Sequence, residues 1–284
     1  MQRHHRAIAI AASLVMAAGA AHADGYVAKG PAPVTLTVSS WTGAYGGVNG
    51  GYAWSGNSAN FSGDGGAGTI LLNLIFTSIV SATNNQFSQG LDPNGFTGGG
   101  QLGYNWQIAR DWVAGVETDL QYSGADGNAS TTGSAGGATA TANSQQDLKW
   151  FGTLRGRLGY LATDDLLLFG TAGLAYGKTD ATANLTTAVA ATITLGASTL
   201  TCAANTACIA GADSKTSVGW TAGLGFEWLV WHDITVKGEY LHVDLGDQNV
   251  TLVAAPPSTG NGFANAQFDN SYEIIRAGLN IRLH

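Results

Sequence analysis

Residues 112–122 of the chain read WVAGVETDLQY, and the alternation in this stretch decides the fold. One set of alternate residues is apolar and begins and ends with an aromatic ring: Trp112, Ala114, Val116, Thr118, Leu120 and Tyr122. The residues between them form a more polar set: Val113, Gly115, Glu117, Asp119 and Gln121. A period of two is typical of a β-strand with one apolar and one polar face. The two rings predict a strand that crosses a bilayer, because Trp and Tyr settle where hydrocarbon meets the headgroups.

The composition supports membrane strands over membrane helices. The chain has 284 residues, of which 41 are glycine and 11% are charged. Charged residues make up about 25% of a typical soluble domain. No stretch of about 20 apolar residues follows the N-terminal region, so the sequence predicts no membrane-spanning helix. Low charge without such helices favours a β-barrel, in which apolar residues occupy alternate positions.

The N-terminal region predicts a secretory signal peptide. Arg3 and Arg6 give it a basic start, residues 7–21 are small and apolar, and Ala21-His22-Ala23 matches a cleavage site. Cleavage would leave 12 − 2 = 10 basic and 19 acidic residues, a net charge of −9, which disfavours nucleic acid as a partner. The expected organisation is a signal peptide over 1–23, a periplasmic linker over 24–40 and an outer-membrane β-barrel domain over 41–284.

The two-faced pattern recurs along the chain and predicts an all-β fold, an eight-stranded antiparallel transmembrane β-barrel with long extracellular loops. The predicted strands are 42–54, 96–106, 112–122, 150–160, 166–176, 218–228, 234–244 and 274 to the C-terminus. Turns of five residues are predicted at 107–111, 161–165 and 229–233, and long loops at 55–95, 123–149, 177–217 and 245–273. Outer-membrane barrels combine short periplasmic turns with long external loops, so both termini are expected in the periplasm. The loops are rich in Gly, Ala, Ser, Thr and Asn, and we expect them to be mobile.

Aromatic residues at the strand ends predict two girdles at the membrane interfaces. The eight tryptophans all lie at or next to a predicted strand end. Core tryptophans would instead be expected near the middle of strands. The predicted girdle residues are Trp41, Trp54, Trp106, Trp112, Tyr122, Trp150, Tyr160, Trp220, Trp228 and Trp231.

Two features distinguish parts of the predicted loops from the small and polar residues that make up the rest. Residues 70–80 are nearly all apolar, which suggests either a hairpin arm that continues the first strand or a contact surface for lipid or a partner. Cys202 and Cys208 are close in sequence, and export makes a disulfide between them the expected state. A zinc site is not expected, because no His or second Cys pair lies nearby.

Charged residues with inward parity predict a network inside the barrel. Its members are Glu117, Asp119, Arg155, Arg157, Glu227, Lys237, Glu239, Arg276 and Arg282. Buried charges persist only when they are paired and hydrogen-bonded. The network could pack the lumen or line a gated path for ions, but eight strands leave no room for a wide pore.

The sequence supports neither catalysis nor a bound cofactor or metal. Without the signal peptide the histidines are His232 in a predicted turn, His242 with outward parity, and His284 at the end. No nucleophile-elbow, HExxH or phosphate-loop pattern occurs. The chain is therefore not expected to be an enzyme.

Several segments in the right order resemble the alphaproteobacterial outer-membrane immunogenic protein family, with OmpA-like eight-stranded barrels. They are residues 41–52 (WTGAYGGVNGGY), 96–106 (FTGGGQLGYNW), 150–160 (WFGTLRGRLGY), 236–246 (VKGEYLHVDLG) and 276–282 (RAGLNIR). The resemblance implies a surface antigen that is monomeric or weakly associating, often labelled porin, with haemin binding in some relatives. It departs at the C-terminus, where the family commonly ends in Phe for the assembly machinery. Here Leu283 takes that parity and His284 is extra, so weaker recognition is expected.

The predicted function is a structural, surface-exposed outer-membrane barrel with an antigenic role. Its expected partners are outer-membrane lipid and, through the last strand, the assembly machinery. Three alternatives remain open: a small-solute channel, a receptor for haem or a host factor carried by the loops, and a lipid hydrolase. A hydrolase would need a Ser, His and acid cluster at the outer rim, where only His242 and Asp244 are near each other in sequence.

Overall fold

The computed structural model describes residues 40–63, 67, 71, 72, 86–135 and 138–283. The strands are β1 (Gly43–Trp54), β2 (Ser58–Gly63), β3 (Gln86–Gly90), β4 (Asn94–Ala109), β5 (Trp112–Ala135), β6 (Ala138–Thr163), β7 (Leu166–Thr187), β8 (Ala191–Leu195), β9 (Ser198–Cys202), β10 (Thr206–Trp231), β11 (Ile234–Asp244), β12 (Gln248–Ala254), β13 (Thr259–Gly260), β14 (Ala264–Phe268) and β15 (Ser271–Leu283). Within these ranges, no helix has the length and apolarity needed to cross a membrane.

Eight of the strands close into a ring, which confirms the predicted antiparallel barrel. Their order is β11, β15, β1, β4, β5, β6, β7 and β10, and β10 pairs with β11 to complete the circle. Each neighbouring pair is antiparallel, with registers such as Glu117 opposite Arg155 and Glu239 opposite Arg276. The ring therefore has no free edge in its wall.

The alternation read from the sequence describes the two faces of the wall. On β5, Val116, Leu120 and Tyr122 are exposed on the outside, while Glu117 and Gln121 are buried inside. The apolar set thus covers the outer surface and the polar set fills the lumen, the reverse of a soluble barrel.

The strands of the ring are longer than predicted on the side of the long connections, here called the loop end. Residues 123–149 and 177–217 were expected as mobile loops, but β5, β6, β7 and β10 run through most of them. The opposite side is the turn end, where the strands continue to Ala109, Thr163 and Trp231. This leaves turns at 110–111, 164–165 and 232–233, shorter than the five residues predicted.

The other strands cover the loop end. Strands β12, β14, β2 and β3 extend the sheet from β10, and β8, β9 and β13 form a second, three-stranded sheet. Beneath them lies an apolar cluster that includes Phe61, Leu185, Ile209 and Phe268. The loop end therefore has a hydrophobic core of its own.

The apolar segment at residues 70–80 lies mostly outside the described residues. Leu71 and Leu72 are described, and both are helical and buried in the cluster beneath the loop-end sheets. Because they are helical, these two residues do not belong to a strand of the hairpin arm that the sequence suggested. The predicted signal peptide and all of the linker except Ser40 also lie outside the described residues.

Candidate functional site: a buried charge layer inside the barrel

The centre of the lumen holds a layer of four carboxylates and four cations. The carboxylates belong to Glu117, Asp119, Glu227 and Glu239, and the cations to Arg155, Arg157, Lys237 and Arg276. Their side chains are 0–3% exposed. The opposite charges balance, so the layer carries no net charge where water is largely excluded.

Arg155 on β6 lies at the centre of the layer. Its guanidinium donates to Glu117, to Asp119 Oδ2 at 2.9 Å and to Glu239 Oε1 at 2.5 Å. It also donates to the hydroxyls of Thr153 at 2.9 Å and Thr171 at 3.0 Å. A planar guanidinium has five N–H donors, and here they reach three carboxylates and two hydroxyls. Arg155 thereby joins acids from β5 and β11.

Lys237 and Arg276 connect the same acids from the other side of the barrel. Lys237 Nζ lies 2.6 and 2.8 Å from the two carboxylate oxygens of Glu117. Arg276 donates to Asp119 Oδ2 at 2.8 Å and to Glu239 Oε2, which lies 2.8 Å from Nε and 2.6 Å from Nη2. These contacts span the lumen, because β5 and β11 are not neighbours in the ring.

Arg157 and Glu227 form a second group nearer the turn end. Arg157 pairs with Glu227, which also accepts from Thr235 at 2.5 Å and from Asn280 at 2.9 Å. The guanidinium of Arg157 lies 3.9 Å from the centre of the Phe169 ring, a cation–π arrangement. Arg157 Nη1 is 3.9 Å from Glu117 Oε2, which joins this group to the central one.

Tyr45 is a member of the layer that the sequence reasoning missed. Its hydroxyl donates to Glu117 Oε2 at 2.7 Å and accepts from Arg157 at 3.3 Å. The ring lies across Gly103 of β4, where a Cβ atom would be only 2.3 Å from Tyr45 Cζ. Glycine at that position therefore lets Tyr45 on β1 reach Glu117 on β5. The sequence did contain a signal for Tyr45. Its position in the alternation points inward, and the residues two positions away on either side are Gly43 and Gly47.

Apolar residues lie on both sides of the charge layer. At the turn end, Trp41, Val113, Leu161 and Leu167 form one buried cluster. At the loop end a second cluster contains Ala53, Ala125, Leu148, Phe151, Ala175, Leu241, Val243, Leu245, Tyr272 and Ile274. An ion crossing the lumen would have to leave its hydration shell at both clusters.

Trp41 was predicted to belong to the lipid-facing girdle, and this prediction is wrong. The side chain is 1% exposed, and its Nε1 donates to the carbonyl of Asp164 at 3.1 Å across the barrel mouth. The backbone N–H donates to Gln107 Oε1 at 3.0 Å. Since β1 begins at Gly43, Trp41 precedes the strand and the alternation does not set its direction.

Arg282 was assigned to the charge network, but the structure places it at the turn end. It donates to the backbone carbonyls of Ser40 at 3.2 Å and His232 at 2.9 Å. Its guanidinium also lies 5.5 Å from the centre of the Trp41 ring. It has the inward parity of Arg276, but three residue pairs along β15 separate the two positions.

The remaining residues assigned to the girdles lie on the outer face at the strand ends. The exposed ones are Trp54, Trp106, Trp112, Tyr122, Tyr160, Trp220, Trp228 and Trp231, and Trp150 is half-buried. Several pair across strands, as Trp112 does with Tyr160 at 5.5 Å and Trp150 with Tyr176 at 6.2 Å between ring centres. Their role at the membrane interface remains a proposal.

The cysteines and His242 lie away from the charge layer. Cys202 and Cys208 form a disulfide within the apolar core of the loop end. His242 lies on the outer face, where its Nδ1 is 2.7 Å from Glu273 Oε1 and its ring is 4.9 Å from that of Trp220. The sequence did not identify Glu273 as the partner of His242, because the two residues lie on different strands.

The chain is similar to known outer-membrane proteins. The family described as "Outer membrane protein beta-barrel domain" matches residues 8–269. The 31 kDa outer-membrane immunogenic protein of Brucella melitensis biotype 1 is 35% identical over 272 residues, which cover 94% of this chain and 95% of that protein. The 22 kDa outer membrane protein of Rhizobium leguminosarum bv. viciae is 32% identical over 182 residues, 63% of this chain and 68% of that protein. Among solved structures, the outer membrane protein OprG from Pseudomonas aeruginosa aligns with a TM-score of 0.44 at 14% identity, over 85% of this chain and 97% of that one.

Proposed function

We propose that this chain, which belongs to the outer membrane protein beta-barrel family and resembles its outer-membrane immunogenic proteins, is a closed structural barrel and surface antigen. The protein is located in the outer membrane of a Gram-negative cell. The proposal concerns what the barrel does there. We favour a closed barrel with a packed interior over a channel, a receptor or an enzyme.

The arrangement of the lumen is the observation that carries the proposal. Every carboxylate of the charge layer contacts at least one cation within 3.0 Å, and apolar clusters lie on either side. A conducting path would need hydrated, mobile charges, whereas these side chains are held by one another. The same pairing supports a non-enzymatic role, because it leaves none of these carboxylates to act as a base.

Conductance in planar bilayers tests the closed lumen. We expect the folded full chain to give no stable conductance steps, while a general porin in the same bilayer does. The Glu117→Gln variant removes one charge without removing volume and should stay equally silent. Reproducible steps in the wild-type protein, with ion selectivity that changes in Glu117→Gln, would establish the channel alternative instead.

The antigenic role rests on the immunogenic relatives and on the strands that extend beyond the membrane band. A strand needs about 9–11 residues to cross a bilayer, and β5, β6 and β10 have 24 to 26. Antibodies raised against a peptide from the β5–β6 tip should therefore bind intact cells. Binding only after the cells are broken would contradict surface exposure.

The proposed partners are outer-membrane lipid along the outer face and the assembly machinery at β15.

A haem or host-factor receptor at the loop end is kept as an alternative. Among the described residues, no group of three or more His, Cys, Asp or Glu side chains could hold a metal ion.

A further inference from the structure

A groove of about 860 Å³ lies on the outer face of the barrel, on the opposite side of the wall from the charge layer. Its floor is formed by small residues in register, Ala277 on β15 and Gly50 on β1, while the Phe226 ring covers the adjacent Gly238 on β11. Phe226 borders it on the β10 side and Tyr52 on the opposite side. Small residues on two neighbouring strands leave a depression in a surface that is otherwise covered by large apolar side chains.

A polar cluster adjoins the loop end of this groove. Glu273 accepts a hydrogen bond from Tyr240, which itself lines the groove, and its Oε1 is 2.7 Å from His242 Nδ1. Asp244 lies on the next outward position of β11 and accepts from Trp220 Nε1 at 3.2 Å. One carboxylate, an imidazole and a phenol thus meet at one end of an apolar depression, and Asp244 lies one outward position further along β11.

The location and the charge of the cluster limit what can bind. The groove opens on the outer face that the family places in the membrane, so its apolar part suits an acyl chain. The carboxylate of Glu273 favours a headgroup that is a cation with N–H donors, since charge-assisted hydrogen bonds to carboxylates are the strongest available there. On β10, the outward neighbours Val218, Trp220 and Leu224 carry no charge that would oppose it.

We propose that this groove binds a phospholipid whose headgroup ends in a primary ammonium. One acyl chain lies over Gly50 and Ala277, against the Phe226 ring, and the ammonium lies beside Glu273. Tyr240 joins the two parts, because its ring faces the acyl chain and its hydroxyl holds Glu273. A pocket that is mostly apolar with a few convergent polar groups is the usual architecture of a specific ligand site.

Native mass spectrometry of the folded full chain tests the proposal. The protein is mixed with equal amounts of phosphatidylethanolamine and phosphatidylglycerol that carry the same acyl chains. We expect the ethanolamine lipid to be retained about tenfold more, the effect of roughly one charge-assisted hydrogen bond. The Glu273→Gln variant keeps an acceptor for Tyr240 but loses the charge, so its preference should disappear.

Two matched glycine variants test the acyl-chain part. A Cβ at Gly50 would lie 3.7 Å from its nearest neighbour and one at Gly156 3.9 Å, so both outward positions have room for a side chain. Gly50→Leu fills the groove and should reduce retention of both lipids. Gly156→Leu lies outside it and should behave like the wild type.

Folding of each variant is checked by heat-modifiable migration in gels. Equal retention of the two lipids by the wild-type protein would overturn the proposal. So would an unchanged preference in Glu273→Gln, or equal lipid retention in the two leucine variants.

Discussion

Arg155 holds the charge layer together, because its guanidinium contacts carboxylates from two strands that are not paired in the ring. Glu117 and Asp119 come from β5, and Glu239 comes from β11. Glu117 in turn is bound by Lys237 from the far side of the lumen. A change at either residue therefore affects contacts around the ring, and the two should not act independently.

A double-mutant cycle on Glu117 and Arg155 measures this dependence. Each single change to alanine leaves a buried charge with fewer partners and should cost about 3–5 kcal/mol in unfolding free energy. The double variant should cost less than the sum of the two, because the Glu117–Arg155 contact is lost in both single variants but only once in the double variant. Unfolding of the barrel in lipid vesicles by urea is the measurement. Small and additive costs would indicate a hydrated lumen.

Trp41 offers a second test at the level of single residues. It is buried among Val113, Leu161 and Leu167, so Trp41→Ala should destabilise the barrel by about 3–5 kcal/mol. Trp231→Ala is the control, since Trp231 lies at the same end of the barrel but is 70% exposed on the outer face. Its removal should cost markedly less. Equal costs for the two variants would show that Trp41 does not pack inside the barrel mouth.

At the level of the element, each strand of the ring separates lipid from lumen by alternation. Leu120 on β5 is 57% exposed on the outer face, whereas the adjacent Gln121 is 1% exposed inside. Bulges mark the loop end of the membrane band, between Tyr122 and Ala125 and between Leu148 and Trp150. The alternation of faces shifts there on β6 and continues unchanged on β5. Beyond the bulges the same strands continue with small polar residues outside.

Leu120→Arg should therefore cost about 2–4 kcal/mol if the residue lies near the middle of the bilayer. Asn128→Arg is the matched control, because Asn128 is on the outward face of the same strand beyond the bulge. It should fold into vesicles with a yield close to the wild type. Similar folding yields for both arginine variants would contradict the assignment of the outer face.

The disulfide belongs to the loop-end sheets and should act locally. Cys202 ends β9 and Cys208 lies near the start of β10, with a sequence separation of 6. Such a short ring restricts the unfolded chain less than the roughly 3 kcal/mol expected for a 15-residue loop. Replacing both cysteines by serine should raise hydrogen exchange in β9 while leaving exchange in β11 unchanged. Faster exchange throughout the barrel would show that the bond supports the whole fold.

On the scale of the molecule, the wall and its contents form one continuous packing from the turn end to the loop end. The described interior passes from an apolar cluster to the charge layer, then to a second apolar cluster, and finally to the core beneath the loop-end sheets. Four strands of the ring rise well beyond the length that a bilayer requires. Much of the protein therefore lies outside the hydrocarbon region.

Export to this location should begin with removal of the signal peptide after Ala23. The basic start, the apolar run and Ala21-His22-Ala23 support this cleavage. N-terminal sequencing of the protein purified from outer membranes should begin at Asp24. A sequence that starts at Met1 would exclude the cleavage.

The sequence by itself determined the strand number, the antiparallel ring and the inner and outer faces, because alternation is a local property of the chain. It did not reveal the length of β6, since residues 138–142 alternate only between alanine and threonine, such as Ala140 and Thr141, and the contrast between faces is too weak to see.

Only the tertiary structure decided which inward charges meet. Glu117 and Lys237 are separated by 120 residues, and parity can place both in the lumen without showing that they touch. The same limit applies to Arg282, which has the right parity but the wrong depth, and to Trp41, which precedes its strand. Alternation specifies a face, whereas depth and partners depend on how the ring closes around its interior.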